Sequence, residues 1–139
     1  MLLLDTHAWI WSAEGDTRKI GQRARRLIAR AAARDRIRVS PATIFEVTAL
    51  SVAGRLRLAR SPEQWIDEAL AVPGLRLAEL TVSIAIDAGS IPRAALADPL
   101  DRLLVATARA LDATFLTADS PILGYAAATG RLRVADASK

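Results

Sequence analysis

Three consecutive leucines near the start of the chain, ended at once by Asp5, constrain the fold more than any other stretch. Three apolar residues are too few for a helix, and they lack the alternation that marks a half-exposed strand. They are typical of a short strand covered on both faces, as in a parallel sheet. Asp5 or Thr6 can then cap a helix that begins near His7. Because ligands of open α/β sheets bind beyond the carboxyl ends of the strands, Asp5 also lies where a functional site is expected.

The alternation of a short apolar run with a helix continues along the chain. We predict further strands at 37–39, 75–80, 113–117 and 132–134. We predict helices at about 8–12, 21–34, 41–54, 62–72, 82–88, 98–108 and 122–128. Strands that alternate with helices indicate a three-layer α/β/α domain whose central parallel sheet has about five short strands. No linker or internal repeat divides the sequence, so we expect a single domain over residues 1–139.

The composition excludes several kinds of site. The chain has no cysteine, which removes thiolate metal sites and cysteine nucleophiles, and its single histidine leaves no structural zinc site. The absence of cysteine fits a reducing cytoplasm. No apolar run approaches the length of a membrane span, and no secretory signal opens the sequence. We therefore expect a cytoplasmic protein without a membrane partner.

Basic residues are concentrated in one segment. Nine of the nineteen Lys and Arg residues fall between residues 18 and 38. Such a segment suggests a polyanionic partner, of which nucleic acid is the commonest. A solvated helix face is the alternative, and both interpretations stay open from the residues alone. The predicted helix at 21–34 carries four of the basic residues in one row, namely Arg23, Arg26, Arg30 and Arg34.

Four acids lie near predicted strand ends or helix starts, namely Asp5, Glu46, Asp101 and Asp119. Three of them have a local structural explanation, since Asp5 and Asp119 can act as N-caps, and Asp98 and Asp101 match a capping box. Glu46 has the weakest one, because an ionised carboxylate among apolar neighbours is costly unless it is paired. If all four converge on one sheet edge, their mutual repulsion favours a bound cation. Carboxylate oxygens select Mg²⁺ or Mn²⁺, and such a cluster suits phosphodiester hydrolysis.

The segments that carry these acids resemble the PIN-domain nucleases, and more narrowly the VapC toxins of type II toxin–antitoxin pairs. The matching motifs are LLLDTH at 2–7, SP at 40–41 leading to Glu46, DPLDRLLVA at 98–106 and LTAD at 116–119. The resemblance implies a Mg²⁺- or Mn²⁺-dependent endoribonuclease. The catalytic and metal-binding acids that it implies are Asp5, Glu46, Asp101 and Asp119.

The resemblance also implies accessory residues and partners. Thr6 and Thr117 match positions that hold water or an acid in place, and Asp98 is an N-cap or an accessory acid. The implied partners are an RNA substrate, a VapB-type antitoxin that blocks the site, and a second copy of the chain in a homodimer. An Arg or Lys of the antitoxin can replace the metal's charge. Trp9 and Trp11 are candidates for the wall of its groove, with ordinary core packing as the alternative.

Three other assignments account for part of this pattern. A haloacid-dehalogenase-type phosphatase also has an Asp after its first strand, but it needs a second Asp where this chain has His7. A receiver-type signalling domain needs an acidic pair before its phosphorylated Asp and a late Lys, and neither is visible. A non-catalytic PIN-like module that binds RNA or a protein partner is the serious alternative to a nuclease.

Overall fold

The computed structural model describes all 139 residues, which form five strands and seven helices. The strands are β1 (Leu2–Leu4), β2 (Ile37–Val39), β3 (Leu75–Leu77), β4 (Thr114–Thr117) and β5 (Val134–Asp136). The helices are α1 (Thr6–Ala13), α2 (Gln22–Ala32), α3 (Pro41–Val52), α4 (Pro62–Leu70), α5 (Val82–Ser90), α6 (Pro99–Ala110) and α7 (Ser120–Thr129). None of these helices combines the length and apolar character needed to cross a membrane.

The strands form one parallel sheet in the order β3-β2-β1-β4-β5. β1 lies at the centre and pairs with β2 and β4. Successive side chains of a strand point to opposite faces, so Leu2 and Leu4 pack into one apolar core and Leu3 into another. Burial on both faces explains the unbroken leucine run. The predicted three-layer α/β/α architecture with a parallel sheet is confirmed.

Capping side chains and prolines mark the start of most of the helices. The side chains of Ser40, Ser61, Thr81 and Asp98 each accept a hydrogen bond from a backbone N–H in the first turn of α3, α4, α5 and α6. Proline stands at the start of α3, α4, α6 and α7, where a missing N–H costs nothing. Helices α1, α3 and α7 begin almost directly after β1, β2 and β4. Their capping residues therefore lie at the carboxyl edge of the sheet.

Two predicted strands are wrong in their bounds. β3 ends at Leu77 instead of residue 80, because its one neighbour, β2, is only three residues long. The last strand runs from Val134 to Asp136 instead of 132–134. Helix α7 continues to a left-handed cap at Gly130, so the chain pairs with β4 only from Val134 onward. Both errors arise because the length of a strand depends on a partner elsewhere in the sequence.

Candidate active site

Asp5 is fixed at the carboxyl end of the central strand. It is the N-cap of α1, and its Oδ1 accepts a hydrogen bond from the Thr6 backbone N–H at 2.8 Å. Its Oδ2 accepts a second bond from the Thr117 hydroxyl at 2.6 Å. Because β1 and β4 are neighbours in the sheet, Thr117 at the end of β4 reaches Asp5 directly. Both carboxylate oxygens are thereby held, and the residue is only 8% exposed.

Thr117 connects Asp5 to a second acid. Its Oγ1 accepts a hydrogen bond from the Asp119 backbone N–H at 3.0 Å. Asp119 is the N-cap of α7, and its Oδ2 accepts a bond from the N–H of Ile122 at 3.1 Å. The hydroxyl of Thr6, by contrast, bonds to that of Thr43, 3.4 Å away. Of the two threonines singled out from the sequence, only Thr117 directs its hydroxyl at an acid.

The first turn of α6 carries two acids in different situations. Asp98 is the N-cap, and its Oδ1 accepts a hydrogen bond from the Leu100 N–H at 2.9 Å. The reciprocal half of the capping box is missing, because Asp101 accepts no bond from the Asp98 N–H. Asp101 is half-buried nevertheless. Helix capping therefore explains Asp98, whereas Asp101 makes no capping hydrogen bond.

All the acids singled out from the sequence line one cavity of about 420 Å³. Asp5 and Asp119 reach it from the strand ends, and Asp98 and Asp101 reach it from the first turn of α6. Glu46 reaches it from α3, where it is half-buried and takes part in none of the ion pairs of the chain. The remaining lining residues are His7, Trp11, Leu50, Arg55 and Ala118.

The carboxylates of this cavity oppose one another's ionisation. Burial, followed by the charges of the four other acids, raises the pKa of Asp101 to about 8. Burial also raises the pKa of Asp5, and the charges of Glu46 and Asp119 add to this effect, while the Thr117 hydrogen bond opposes it. No basic side chain is among the groups that shift either pKa. Arg55 is the one arginine that lines the cavity, so the five acids outnumber it and the cavity stays negatively charged.

The donor set of the cavity suits a divalent metal ion by its chemistry. Five carboxylates supply the hard oxygen ligands that Mg²⁺ and Mn²⁺ prefer, and their excess of negative charge over the single arginine favours a cation. In their present positions, no group of three or more acidic or histidine side chains could hold a metal ion. Asp5 and Asp119 are held by the hydrogen bonds described above, whereas Glu46 and Asp101 are not. The cavity therefore suits a divalent metal ion in the type and charge of its ligands, and the side chains that are not held have to move to coordinate it.

Asp101 makes the stability of the metal-free protein depend on pH. Its pKa rises from 3.8 to about 8 on folding, so the folded state binds this proton more tightly than the unfolded state does. The resulting stabilisation is present at low pH and is lost as pH rises through that interval. We therefore expect Asp101→Asn, which carries no charge, to melt above the wild type at about pH 8.5 in EDTA. The difference should be only a few degrees, because partial exposure of Asp101 screens the repulsion. At about pH 5 the difference should be smaller.

Asp136 provides a control of opposite sign for this calorimetric comparison. The Ser138 hydroxyl and N–H donate to its Oδ1 at 2.6 and 2.8 Å, and these bonds lower its pKa. Its contribution to stability is therefore present at neutral and alkaline pH and is lost on acidification. Asp136→Asn should lower the melting temperature at the pH where Asp101→Asn raises it. Coinciding melting curves of Asp101→Asn and wild type at every pH would contradict the repulsion inferred for the cavity.

The predicted arginine row lies apart from the acids. Arg23, Arg26 and Arg30 lie on α2, whereas Arg34 follows the end of this helix at Ala32. α2 packs against β1 and β2 and buries Ala24. None of the row's residues lines the acidic cavity or forms an ion pair. RNA binding by this row stays a prediction. The exposed residues of the row are Arg23, Arg26, Arg30 and Arg34.

Replacing all four arginines of the row by Gln should weaken the binding of single-stranded RNA. Each phosphate contact that is lost should reduce the slope of log affinity against log salt by about 0.7. Fluorescence anisotropy of a labelled RNA across a NaCl titration measures both quantities. Lys at the same four positions keeps the charge and should keep most of the affinity. Unchanged affinity and slope in the Gln variant would identify the row as a solvated helix face.

The two tryptophans of α1 have different surroundings. Trp9 is buried in the core, where its ring packs edge-on against Trp65 with centroids 5.0 Å apart. The prediction that Trp9 lines a partner's groove is therefore wrong. Trp11 does line the acidic cavity, and its ring centroid lies 5.9 Å from that of His7. Residues two apart on a helix point in nearly opposite directions, so only one of the two tryptophans can face the cavity.

Some lining residues of the cavity were not identified from the sequence. His7 had a usable signal, because it lies four residues before Trp11 and therefore on the same helix face. Arg55 had none, since it follows Gly54, whose φ of +71° sets the direction of the chain after α3. The residues missed are His7, Leu50, Arg55 and Ala118.

Residues 2–127 match the family model described as PIN domain. Ribonuclease VapC22 of Mycobacterium tuberculosis is 32% identical over 108 residues, which cover 77% of this chain and 78% of that protein. VapBC2 from Rickettsia felis, bound to a DNA fragment from their promoter, superposes with a TM-score of 0.69 at 14% identity, covering 97% of each chain. DNA-bound VapBC from Salmonella typhimurium gives 0.66 at 20% identity, covering 97% of this chain and 96% of that one. At such identities, the two solved structures support the fold alone.

Proposed function

The chain belongs to the PIN-domain family, and we propose that it is a metal-dependent endoribonuclease that acts as the toxin of a VapBC pair. The observation that carries this proposal is the convergence of five carboxylates, which outnumber the one arginine beside them, on one cavity at the carboxyl edge of the sheet. We take the PIN domain to span residues 1–139 and the protein to act in the cytoplasm, where RNA is available. The reaction is the hydrolysis of RNA phosphodiester bonds.

The acids of the cavity divide into fixed and free groups. A bound divalent ion would offset charge on phosphate oxygens and lower the pKa of a water molecule. Asp5 presents its carboxylate in one orientation, because Thr117 and the Thr6 N–H hold both oxygens. Glu46 and Asp101 accept no such bonds and can adjust to the metal and the substrate. The proposed ligands of Mg²⁺ or Mn²⁺ are Asp5, Glu46, Asp101 and Asp119, with Asp98 as an accessory acid.

Thr117 acts in this proposal as a positioning residue. Its hydroxyl proton points at Asp5 Oδ2, and this bond stabilises the ionised carboxylate against the effect of burial. The same oxygen accepts the Asp119 N–H and so fixes the start of α7 relative to β1. By opposing the rise in the pKa of Asp5, Thr117 favours the ionised form of this carboxylate, which is the form that binds a metal ion.

A cytoplasmic ribonuclease with a preformed active site would degrade the RNA of its own cell, so we expect a partner to block its cavity when it is not in use. We infer a VapB-type antitoxin as the partner, in line with the VapBC assemblies among the structural neighbours. An Arg or Lys of the antitoxin would neutralise the carboxylates in place of the metal. Trp11 and Leu50 offer apolar contact at the wall of the same cavity. We also propose that two copies of the chain form a homodimer.

Cleavage of RNA by the purified protein tests this proposal. The wild type should cut a single-stranded RNA pool in Mg²⁺ or Mn²⁺, should stop in EDTA, and should recover when the metal is restored in excess. RNA that is bound in chelator and in metal alike, without being cut, would identify the chain as a non-catalytic binding module. Electrophoresis of end-labelled RNA distinguishes the two outcomes.

A further inference from the structure

Arg102 lies next to Asp101 on α6 but borders a different groove. Asp98 and Asp101 line the acidic cavity, whereas Arg102 lines a second groove of about 230 Å³ between α5 and α6. The first turn of α6 therefore forms a ridge with the acids on one side and an arginine on the other. The other residues of this second groove are Ala85, Ala88, Gly89, Pro99 and Leu103.

Arg102 is the half-buried arginine that the chain leaves without a partner. Arg38 donates to two backbone carbonyl oxygens, and Arg109 donates to Asp87 and Tyr125. Arg102 forms no ion pair, and its Nε is buried with no hydrogen-bond acceptor. Because the Nε is buried, a molecule in the groove can reach only the terminal nitrogens of the guanidinium, and these also form no hydrogen bond within the fold. Arg102 therefore offers a charged donor to the groove that no group of the chain accepts.

The groove favours an anion of small size. Its walls are formed by the small residues Ala85, Ala88 and Gly89 of α5, and no acid lines it. Arg102 is the single charged residue among its lining residues. Guanidinium groups pair with carboxylates and phosphates through two parallel hydrogen bonds. The start of α6 adds the partial positive charge of a helix N-terminus to that of the arginine.

The charge of the neighbouring acidic cavity indicates which anion binds in the groove of Arg102. The acidic cavity repels a nucleic acid backbone, so the affinity for RNA has to come from cations close to it. Asp101 lines the acidic cavity and the next residue, Arg102, lines the neighbouring groove, so the two sites adjoin across the first turn of α6. We propose that Arg102 binds the RNA phosphate adjacent to the scissile one. This inference rests on the proposed ribonuclease function.

A phosphate-by-phosphate scan tests the proposal. Digestion of a random-sequence single-stranded RNA pool by the wild type in Mn²⁺ first identifies a preferred cleavage junction. One RNA with that junction is then synthesised with a single uncharged methylphosphonate at each flanking position in turn. For the wild type, one position beside the scissile phosphate should raise KM roughly tenfold with little change in kcat, which is the effect of losing one charged hydrogen-bonded contact.

Arg102→Gln completes the comparison. It should raise KM for the unmodified RNA by the same factor and should no longer respond to the methylphosphonate at that position, because either change removes the same contact. Arg131→Gln is the matched control, since Arg131 is exposed, follows α7, and lines neither the acidic cavity nor the groove of Arg102. It should keep the KM and the sensitivity of the wild type. If Arg102→Gln melts as an unfolded chain, Arg102→Lys replaces it and should show a reduced sensitivity at the same position.

Several results would overturn the assignment. A wild type without any sensitive flanking position, or an Arg102 variant as sensitive as the wild type, would contradict it while leaving the ribonuclease function intact. An Arg102 variant with unchanged KM but weaker binding to an antitoxin or to a second copy would assign the guanidinium to a protein interface. A wild type that cuts no RNA in any metal would instead remove the proposed function, and the inference with it.

Discussion

Asp101→Asn should lower the rate of RNA cleavage by more than about 100-fold. Mutating a residue that only supports a metal ligand already costs up to about 100-fold, and Asp101 is proposed to bind the metal directly. The substitution keeps the size of the side chain and removes its negative charge. Since Asp101 makes no hydrogen bond in the fold, the amide leaves no donor or acceptor of the protein unpaired. The loss should therefore appear in the initial rate with Mn²⁺, with the melting temperature unchanged or raised.

Asp101 is a cleaner position for this experiment than Asp5. Both oxygens of Asp5 accept hydrogen bonds, so an Asn at that position turns one acceptor into a donor and also costs stability. Asp67→Asn is the matched control, because Asp67 is exposed on α4 and does not line the cavity. Asp67→Asn should cut RNA like the wild type. Wild-type rates in Asp101→Asn would show that this acid has no part in catalysis.

Production of the chain alone in a related bacterium should arrest growth. The expectation follows from a ribonuclease whose cavity is open and whose carboxylates lack a covering partner. Asp101→Asn, made at the same level, should leave growth nearly normal, which ties the arrest to catalysis and not to protein load. Colony counts after induction measure the effect.

Co-expression of the proposed VapB-type antitoxin, which we expect a small reading frame immediately upstream of this gene to encode, should relieve the arrest. The physical reason is that a cation from the partner can neutralise the cavity and exclude the metal and RNA together. Normal growth with active wild-type protein present would argue against the toxin assignment, while a nuclease of another role would still fit the site. Arrest that persists with Asp101→Asn would separate toxicity from cleavage.

The alternation of short apolar runs with capped helices was enough to predict the parallel sheet. Leu2–Leu4 indicated a doubly covered strand because burial on both faces leaves an unbroken apolar run. The ends of β3 and β5 were not predictable in the same way. β3 stops at Leu77 because β2 stops at Val39, and no residue of β3 itself carries that information.

The acids were identified from the sequence, but their surroundings were not. The spacing of Asp98 and Asp101 fits a capping box and a catalytic pair equally well, and only the absent reciprocal hydrogen bond distinguishes them. Trp9 and Trp11 were equivalent in the sequence, although one faces the core and the other the cavity. Arg55 reaches the cavity through the turn at Gly54, which no side-chain pattern specifies.

Anomalous diffraction from a crystal soaked in MnCl₂ tests the central claim most directly. The claim is that the carboxylates of the cavity form the centre for divalent metal ions. We expect an anomalous peak at coordination distance from oxygens of Asp5 and Asp101, and its loss in crystals of Asp101→Asn soaked in the same way. A protein that cuts RNA with Mn²⁺ but places the ion elsewhere on its surface, with no peak in this cavity, would contradict the account.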